Sequence, residues 1–431
     1  MNRHSLLLAL AVVGTTVFVA PGGPARAVAP GATVVRTGRF TVTVPERRTD
    51  VAAIELAVAE RFSGARVVGR RRILGRHGPS VTLVFSMPPA QHFGKQVDVA
   101  KLLRSVGRKV KGDCSEVLAK WAKGKPVNLP IFESDWNERS VRTQEAMTRT
   151  TAIAAQEQAM GRGQIVAVLD GGFDLSHEML AGRTAPGYDA LDDDDDAQDL
   201  GNGVNDDADL ELPENVATDR MVGHGTFVAS IVLAAAPAVT ILPIRVLNDE
   251  GWGTDIAIAS GITYAVEHGA RVINMSLVLP DATPIVRDAV RAAMEAGVVI
   301  VTPSGSTDDG WENDPFLARR SICVGATDDA DVIAPWSLMG AYVQVFAPGV
   351  EVAGALGGPV PDSYGRWSGV SFAVPFLSAG AAMLRERHPT DWSPQYIRDR
   401  LLLPSAPIRN AAGVHVLWRG RVDMLRSVSS N

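Results

Sequence analysis

Cysteine is almost missing from this chain, with Cys114 and Cys323 the only two in 431 residues. That excludes a disulfide-framed scaffold. One Cys114 to Cys323 bridge stays open, while the apolar run Ser321-Ile322-Cys323-Val324-Gly325 reads as a buried strand in which Cys323 serves as a small hydrophobe. Long apolar stretches are equally scarce. The one candidate, Leu6 to Ala20, follows Arg3 and ends at Pro21-Gly22-Gly23-Pro24, before the small residues Ala25-Arg26-Ala27. A membrane span needs about 20 apolar residues, so this pattern reads as a signal peptide over residues 1–27. No later segment is long and apolar enough to anchor the chain, and the protein is expected to be secreted, or periplasmic in a host with an outer membrane. A repeat of fixed period, a His-Glu-x-x-His helix, a Gly-x-Ser-x-Gly elbow at a candidate serine and a recognisable nucleic-acid module are all missing too. Their absence argues against a solenoid, a zinc metallopeptidase, a lipase-like hydrolase and a nucleic-acid binder.

What is present is an ordinary globular composition, 46% hydrophobic and 21% charged, with an uneven charge. Residues 28–126 carry nineteen Lys plus Arg against seven Asp plus Glu, a net of +12. The whole chain is −6, and with Arg3 and Arg26 gone it is −8, which leaves −20 for residues 127–431. Two such halves attract each other. In the basic half, the alternation over 39–44 predicts a strand, 49–62 a helix, 80–87 a strand and 96–106 a helix, a small α+β domain over 28–122. The Arg70-Arg71-Arg72 run fits docking onto the acidic half. Residues 123–150, with Gly124, Pro126 and Pro130, read as a linker.

From 151 to 431 the pattern becomes alternating strands and helices. Strands are expected over 164–169, 239–246, 272–275, 298–302 and 322–326, and helices over 225–234, 256–268 and 284–296. Strands apolar throughout must be covered on both faces, which implies an α/β fold with a doubly wound, mostly parallel sheet flanked by helices. Chemistry then belongs at the strands' carboxyl ends. Asp170 follows the strand Ile165-Val166-Ala167-Val168-Leu169, His224 lies in Gly-His-Gly-Thr before a helix, and Ser371 lies in Gly369-Val370-Ser371-Phe372-Ala373-Val374-Pro375. Each alone reads equally as a cap or a surface residue. Together they supply a nucleophile, a base to take its proton and a carboxylate to orient that base.

On these residues the sequence resembles the subtilisin-like serine peptidase family over nearly all of 160–428. The motif blocks are Val166 to Asp174, Gly223 to Ser230 and Gly369 to Pro375, in the order Asp, His, Ser. Leu242 to Leu247, Gly251-Trp252-Gly253-Thr254, Val272 to Leu277 and Phe346 to Val350 also look like family sequence. The resemblance implies Asp170 as orienter, His224 as general base and acid, and Ser371 as the nucleophile whose backbone N–H helps hold the oxyanion. It implies protein or peptide substrates, a monomer, substrate contacts at Ser276, Leu277, Val278, Ser304 and Gly305, and a propeptide role for the basic domain.

The chain departs from the family pattern where the oxyanion needs side-chain help. An asparagine is expected at Ser306, and the usual threonine before the nucleophile is Val370. Val278 stands where the family has glycine. The acidic run from Asp192 through Asp194, Asp196, Asp199, Asn205 and Asp207 offers hard oxygen ligands, and the resemblance implies structural calcium there, although the spacing is not that of an EF-hand loop. Two readings follow: a secreted, self-processed serine endopeptidase, or a catalytically impaired relative that uses the same cleft to bind peptides or proteins.

Overall fold

The computed structural model describes residues 39–45, 52, 66–75, 78–86, 121–123, 131–198, 221–307, 311–358, 360–390, 393–402 and 405–429. Its centre is a nine-stranded sheet whose order across the molecule is Tyr188–Asp189, Thr240–Arg245, Ile165–Asp170, Val272–Met275, Val299–Pro303, Ile322–Thr327, Val345–Pro348, His415–Arg421 and Ala406–Arg409. All neighbours pair in parallel except the last two, which form an antiparallel hairpin at the edge.

The strands' period of two sorts the core. Val166 and Val168 face one cluster with the helices His224–Ala235 and Val374–Arg387, while Ala167 and Leu169 face the other with Asp255–Glu267 and Pro284–Glu295. A fully buried Val or Leu contributes roughly 1.5–3 kcal/mol, so a polar residue in these strands stands out. Asn274, fully buried, is such a residue. The helix and strand spans match the sequence expectation to within a residue or so, and the fold is the expected doubly wound α/β type.

The expected helices over 49–62 and 96–106 and the expected signal peptide lie outside the described residues, apart from Ala52. The strand Gly78–Ser86 pairs on one side with Arg39–Pro45 and on the other with a third strand, Arg66–Gly75, which the arginine-rich sequence did not reveal. This three-stranded sheet sits against the helices Asp255–Glu267 and Pro284–Glu295. Ile73 is buried in their core, Leu74 N–H donates to Thr263 Oγ1 at 3.1 Å, and Arg71 pairs with Asp193 at 2.6 Å. Arg72 pairs with Glu267.

The 123–150 stretch also holds more order than a linker reading implies. Its helices Glu138–Thr143 and Glu145–Arg149 bury Val141 and Met147, a pair too short in sequence to show periodicity. Cys323 is an unbridged, buried thiol, and burial pushes its pKa up to about 12. Among the described residues no helix is long and apolar enough to cross a membrane.

Candidate active site

Asp170 is the last residue of its strand, at the carboxyl edge of the sheet, and is fully buried. Its Oδ1 accepts the Gly171 N–H at 2.8 Å and faces His224 Nδ1 at 2.7 Å. A carboxylate can only accept, so Nδ1 is the donor and Nε2 is left facing away from it. Two glycines allow this approach. Gly223 takes φ +85° before the helix, and a Cβ on Gly225 would lie 2.1 Å from the Gly172 carbonyl oxygen. Both Asp170 Oδ2 and His224 Nε2 are buried and make no hydrogen bond among the described residues.

The His224 ring lies in an aromatic box. Trp367 meets it edge-on at 5.7 Å and Phe372 lies 5.3 Å away, with Phe227 packed behind both. Ser371 sits on the 3₁₀ turn Val370–Phe372, and the helix starts three residues later at Val374, with Pro375 in its first turn. From the sequence a helix starting at Ser371 is the simplest reading of this motif, but the serine lies in a 3₁₀ turn ahead of the helix.

Ser371 Oγ donates to the Ser276 carbonyl at 3.1 Å, and Ser276 Oγ returns a bond to the Ser371 carbonyl at 2.8 Å. Behind them Asn274 Nδ2 donates to Ser276 Oγ at 3.0 Å and Ser378 Oγ donates to Asn274 Oδ1 at 2.8 Å. Asn274 and Ser378 were not singled out from sequence, although an asparagine inside the apolar run Val272-Ile273-Asn274-Met275 is the signal that finds the first.

Ser276, Leu277 and Val278 are all buried, so Val278 packs into the wall and does not project into an open cleft. That wall is fastened by Asn313, also missed from sequence, whose Oδ1 accepts the Leu279 N–H at 2.9 Å while its amide donates to Pro303 O at 2.7 Å. Ser304 and Gly305 lie just beyond the strand Val299–Pro303, with Gly305 at φ +96°. Ser306, at the position where asparagine was expected, is buried and pairs with Trp311 in a two-residue ladder.

The described carboxylates of the acidic run bond within their own loop. Asp194 Oδ1 caps the Asp196 N–H, Asp196 Oδ1 caps Gln198, and Asp192 is exposed 3.6 Å from Arg245, which is held by Asp189 and Asp249. Among the described residues no three acidic, histidine or cysteine side chains could hold a metal, so these aspartates do not fit a calcium cage. Asp199, Asn205 and Asp207 lie outside the described residues.

Against this geometry the comparisons are decisive. The model of the subtilase family, peptidase S8, matches residues 161–415. The chain belongs to the subtilase family of serine-type endopeptidases. Thermitase of Thermoactinomyces vulgaris is 31% identical over 292 residues, covering 64% of this chain and 92% of thermitase. A thermophilic serine proteinase of Bacillus sp. (strain AK1) is 35% identical over 232 residues, and the match spans only about half of either chain, 52% of each. Among solved structures, fervidolysin of Fervidobacterium pennivorans, described as a keratinolytic enzyme related to subtilisin, superposes with a TM-score of 0.63 at 22% identity, over 91% of this chain and 61% of its own. At that identity the likeness speaks for the fold alone.

Proposed function

We propose that this subtilase is a secreted serine endopeptidase, made as a precursor that cuts itself, with Asp170, His224 and Ser371 as its catalytic residues. The observation that carries the reading is the buried Asp170 to His224 bond of 2.7 Å beside a serine whose backbone is held from behind. In this mechanism Ser371 Oγ turns from the Ser276 carbonyl toward His224 Nε2, which accepts its proton as Oγ attacks the substrate carbonyl. The imidazolium is stabilised by Asp170 and then protonates the leaving amine. Water, deprotonated by the same nitrogen, releases the acyl group from Ser371. The backbone N–H of Ser371 is a donor for the oxyanion. Ser306 and Val370 offer less side-chain help than the family pattern, which makes the chemical step slow.

The precursor reading is supported by two antiparallel pairings. Trp121–Lys123 adds to the edge Trp252–Thr254, and Ile131–Phe132 adds to Gly365–Arg366, beside Trp367 and five residues before the nucleophile. A peptide strand laid on a sheet edge is held by main-chain bonds whatever its side chains. Eight residue steps separate Lys123 from Ile131, a reach of at most about 26–29 Å. We place the processed bond between these two strands, within 124–130, with the preceding basic domain acting as propeptide.

A fluorophosphonate probe, followed together with intact mass, tests both parts. The wild type should be labelled and lose its basic domain, and Ser371→Ala should do neither. A folded wild type that stays unlabelled and full-length would overturn the peptidase reading in favour of a peptide-binding cleft, the alternative that Ser306 and Val370 motivate.

A further inference from the structure

Two stretches of main chain touch the turn that carries Ser371. One starts at Ser276, which exchanges two hydrogen bonds with Ser371, and runs on to Leu279. The other is the strand Val299–Pro303, which packs against the Val370–Phe372 turn and continues into Ser304 and Gly305. Asn313 stands between them, only 4% exposed. Its Oδ1 accepts the Leu279 N–H at 2.9 Å and its Nδ2 donates to Pro303 O at 2.7 Å, so a single amide reaches from one wall to the other.

Both chain neighbours of Asn313 hold it there. Glu312 pairs with Gly305 in the short antiparallel ladder that turns the chain back toward Leu279. On the other side, Asp314 N–H donates to Leu279 O at 2.8 Å, and the Asp314 carboxylate caps the helix Pro315–Arg320 through Phe316 N–H at 2.7 Å. A bulky side chain enters between the two walls only by expelling the amide, which takes the partner from the Leu279 N–H and a donor from Pro303 O, or by forcing the walls apart against close packing. A hydrogen atom or a methyl group needs neither.

We infer that Asn313 sets the specificity of the cut: the residue whose carbonyl Ser371 attacks is glycine or alanine, and large aromatic residues are turned away. The inference rests on the peptidase reading above. In the acyl-enzyme that residue's carbonyl carbon is bonded to Ser371 Oγ and its Cα is one bond further on, so its side chain is the part of the substrate that meets the walls touching Ser371. Asn313 acts by occupying the space between them, and touches neither the nucleophile nor the base.

The test compares kcat/KM on succinyl-Ala-Ala-Pro-Ala-p-nitroanilide and succinyl-Ala-Ala-Pro-Phe-p-nitroanilide, using enzyme obtained from the full-length chain, with active sites counted by a fluorophosphonate probe. Wild type should favour the alanine substrate at least about tenfold, the factor that one lost hydrogen bond produces. Asn313→Gly should shift the ratio toward phenylalanine by at least about tenfold, and Asn313→Ala, which adds no backbone freedom, reads the same shift where the glycine variant does not fold. A merely structural role would lower both rates and leave their ratio in place. Labelled wild type that cuts both substrates equally or prefers phenylalanine, or a ratio that neither variant moves, overturns the inference alone. Wild type that the probe does not label overturns the peptidase reading and the inference with it.

Discussion

Asn274 is the residue whose replacement tests most of the site at once. Asn274→Leu keeps the branching and heavy-atom count of the side chain and removes two bonds, Nδ2 to Ser276 Oγ at 3.0 Å and Ser378 Oγ to Oδ1 at 2.8 Å. Ser378 retains Val374 O at 3.3 Å, and Ser276 still donates to the Ser371 carbonyl at 2.8 Å. The net loss is therefore about one buried neutral bond, roughly 1–3 kcal/mol. If the nucleophile feels all of it in the transition state, kcat falls about 5- to 150-fold. The assay is steady-state hydrolysis of a peptide anilide, normalised to active sites by burst titration. KM should stay within about twofold, and the pH profile should keep its midpoint because Asn274 touches the serine side and not His224. Ser276→Ala breaks the same relay, so the double variant should cost no more than the larger single one. Strictly additive losses, or a lower melting temperature with kcat intact, would refute the idea that Asn274 and Ser276 position Ser371 as a unit.

Ser306→Asn should raise kcat by roughly 100- to 1000-fold, the effect reported for such an asparagine in subtilisin, a member of this same family; a rise below tenfold would mean that backbone donors already suffice. Gly171→Ser places a Cβ no closer than 3.6 Å to residues other than its chain neighbours and offers a hydroxyl to Asp170 Oδ2, which makes no hydrogen bond among the described residues. A bond to a charged group is worth about 1.5–3 kcal/mol, so calorimetry should find a higher melting temperature, and a lower one would show that the hydroxyl cannot reach. Cys323 should resist aromatic disulfide reagents in the native protein and react on unfolding. Its folded pKa lies above the value of 9.0 for a free thiol, so the folded state holds its proton longer and stability falls between pH 9 and about 12. Cys323→Ala should flatten that part of the urea-midpoint profile, and an unchanged slope would assign it to other groups.

The central sheet was legible because its strands are covered on both faces and so read as unbroken apolar runs, with helices of clear period between them. Asp170, His224 and Ser371 were legible for a related reason: each sits at a boundary where a strand or glycine turn hands over to a helix. What stayed hidden was short, charged or supporting. The strand Arg66–Gly75 carries three successive arginines because its partner surface is acidic, which masks its alternation. The helices of 138–149 are one to two turns long, below the length at which a period shows. Asn313 and Ser378 bond to main chain and side chains distant in sequence, and nothing local announces them. The acidic run from Asp192 looked like a cage in sequence, but its described carboxylates turn back to cap their own loop.

The pairing of Trp121–Lys123 with Trp252–Thr254 has a consequence for the order of events. A strand tethered by a short segment to the edge it occupies acts at an effective concentration in the millimolar range. If the precursor cuts itself as proposed, no outside peptide at ordinary levels displaces this strand, and the first bond cut would be in the chain's own body, at a rate independent of how much protein is present. Once that bond is broken the tether is gone, and the same strand must compete by diffusion like any other ligand.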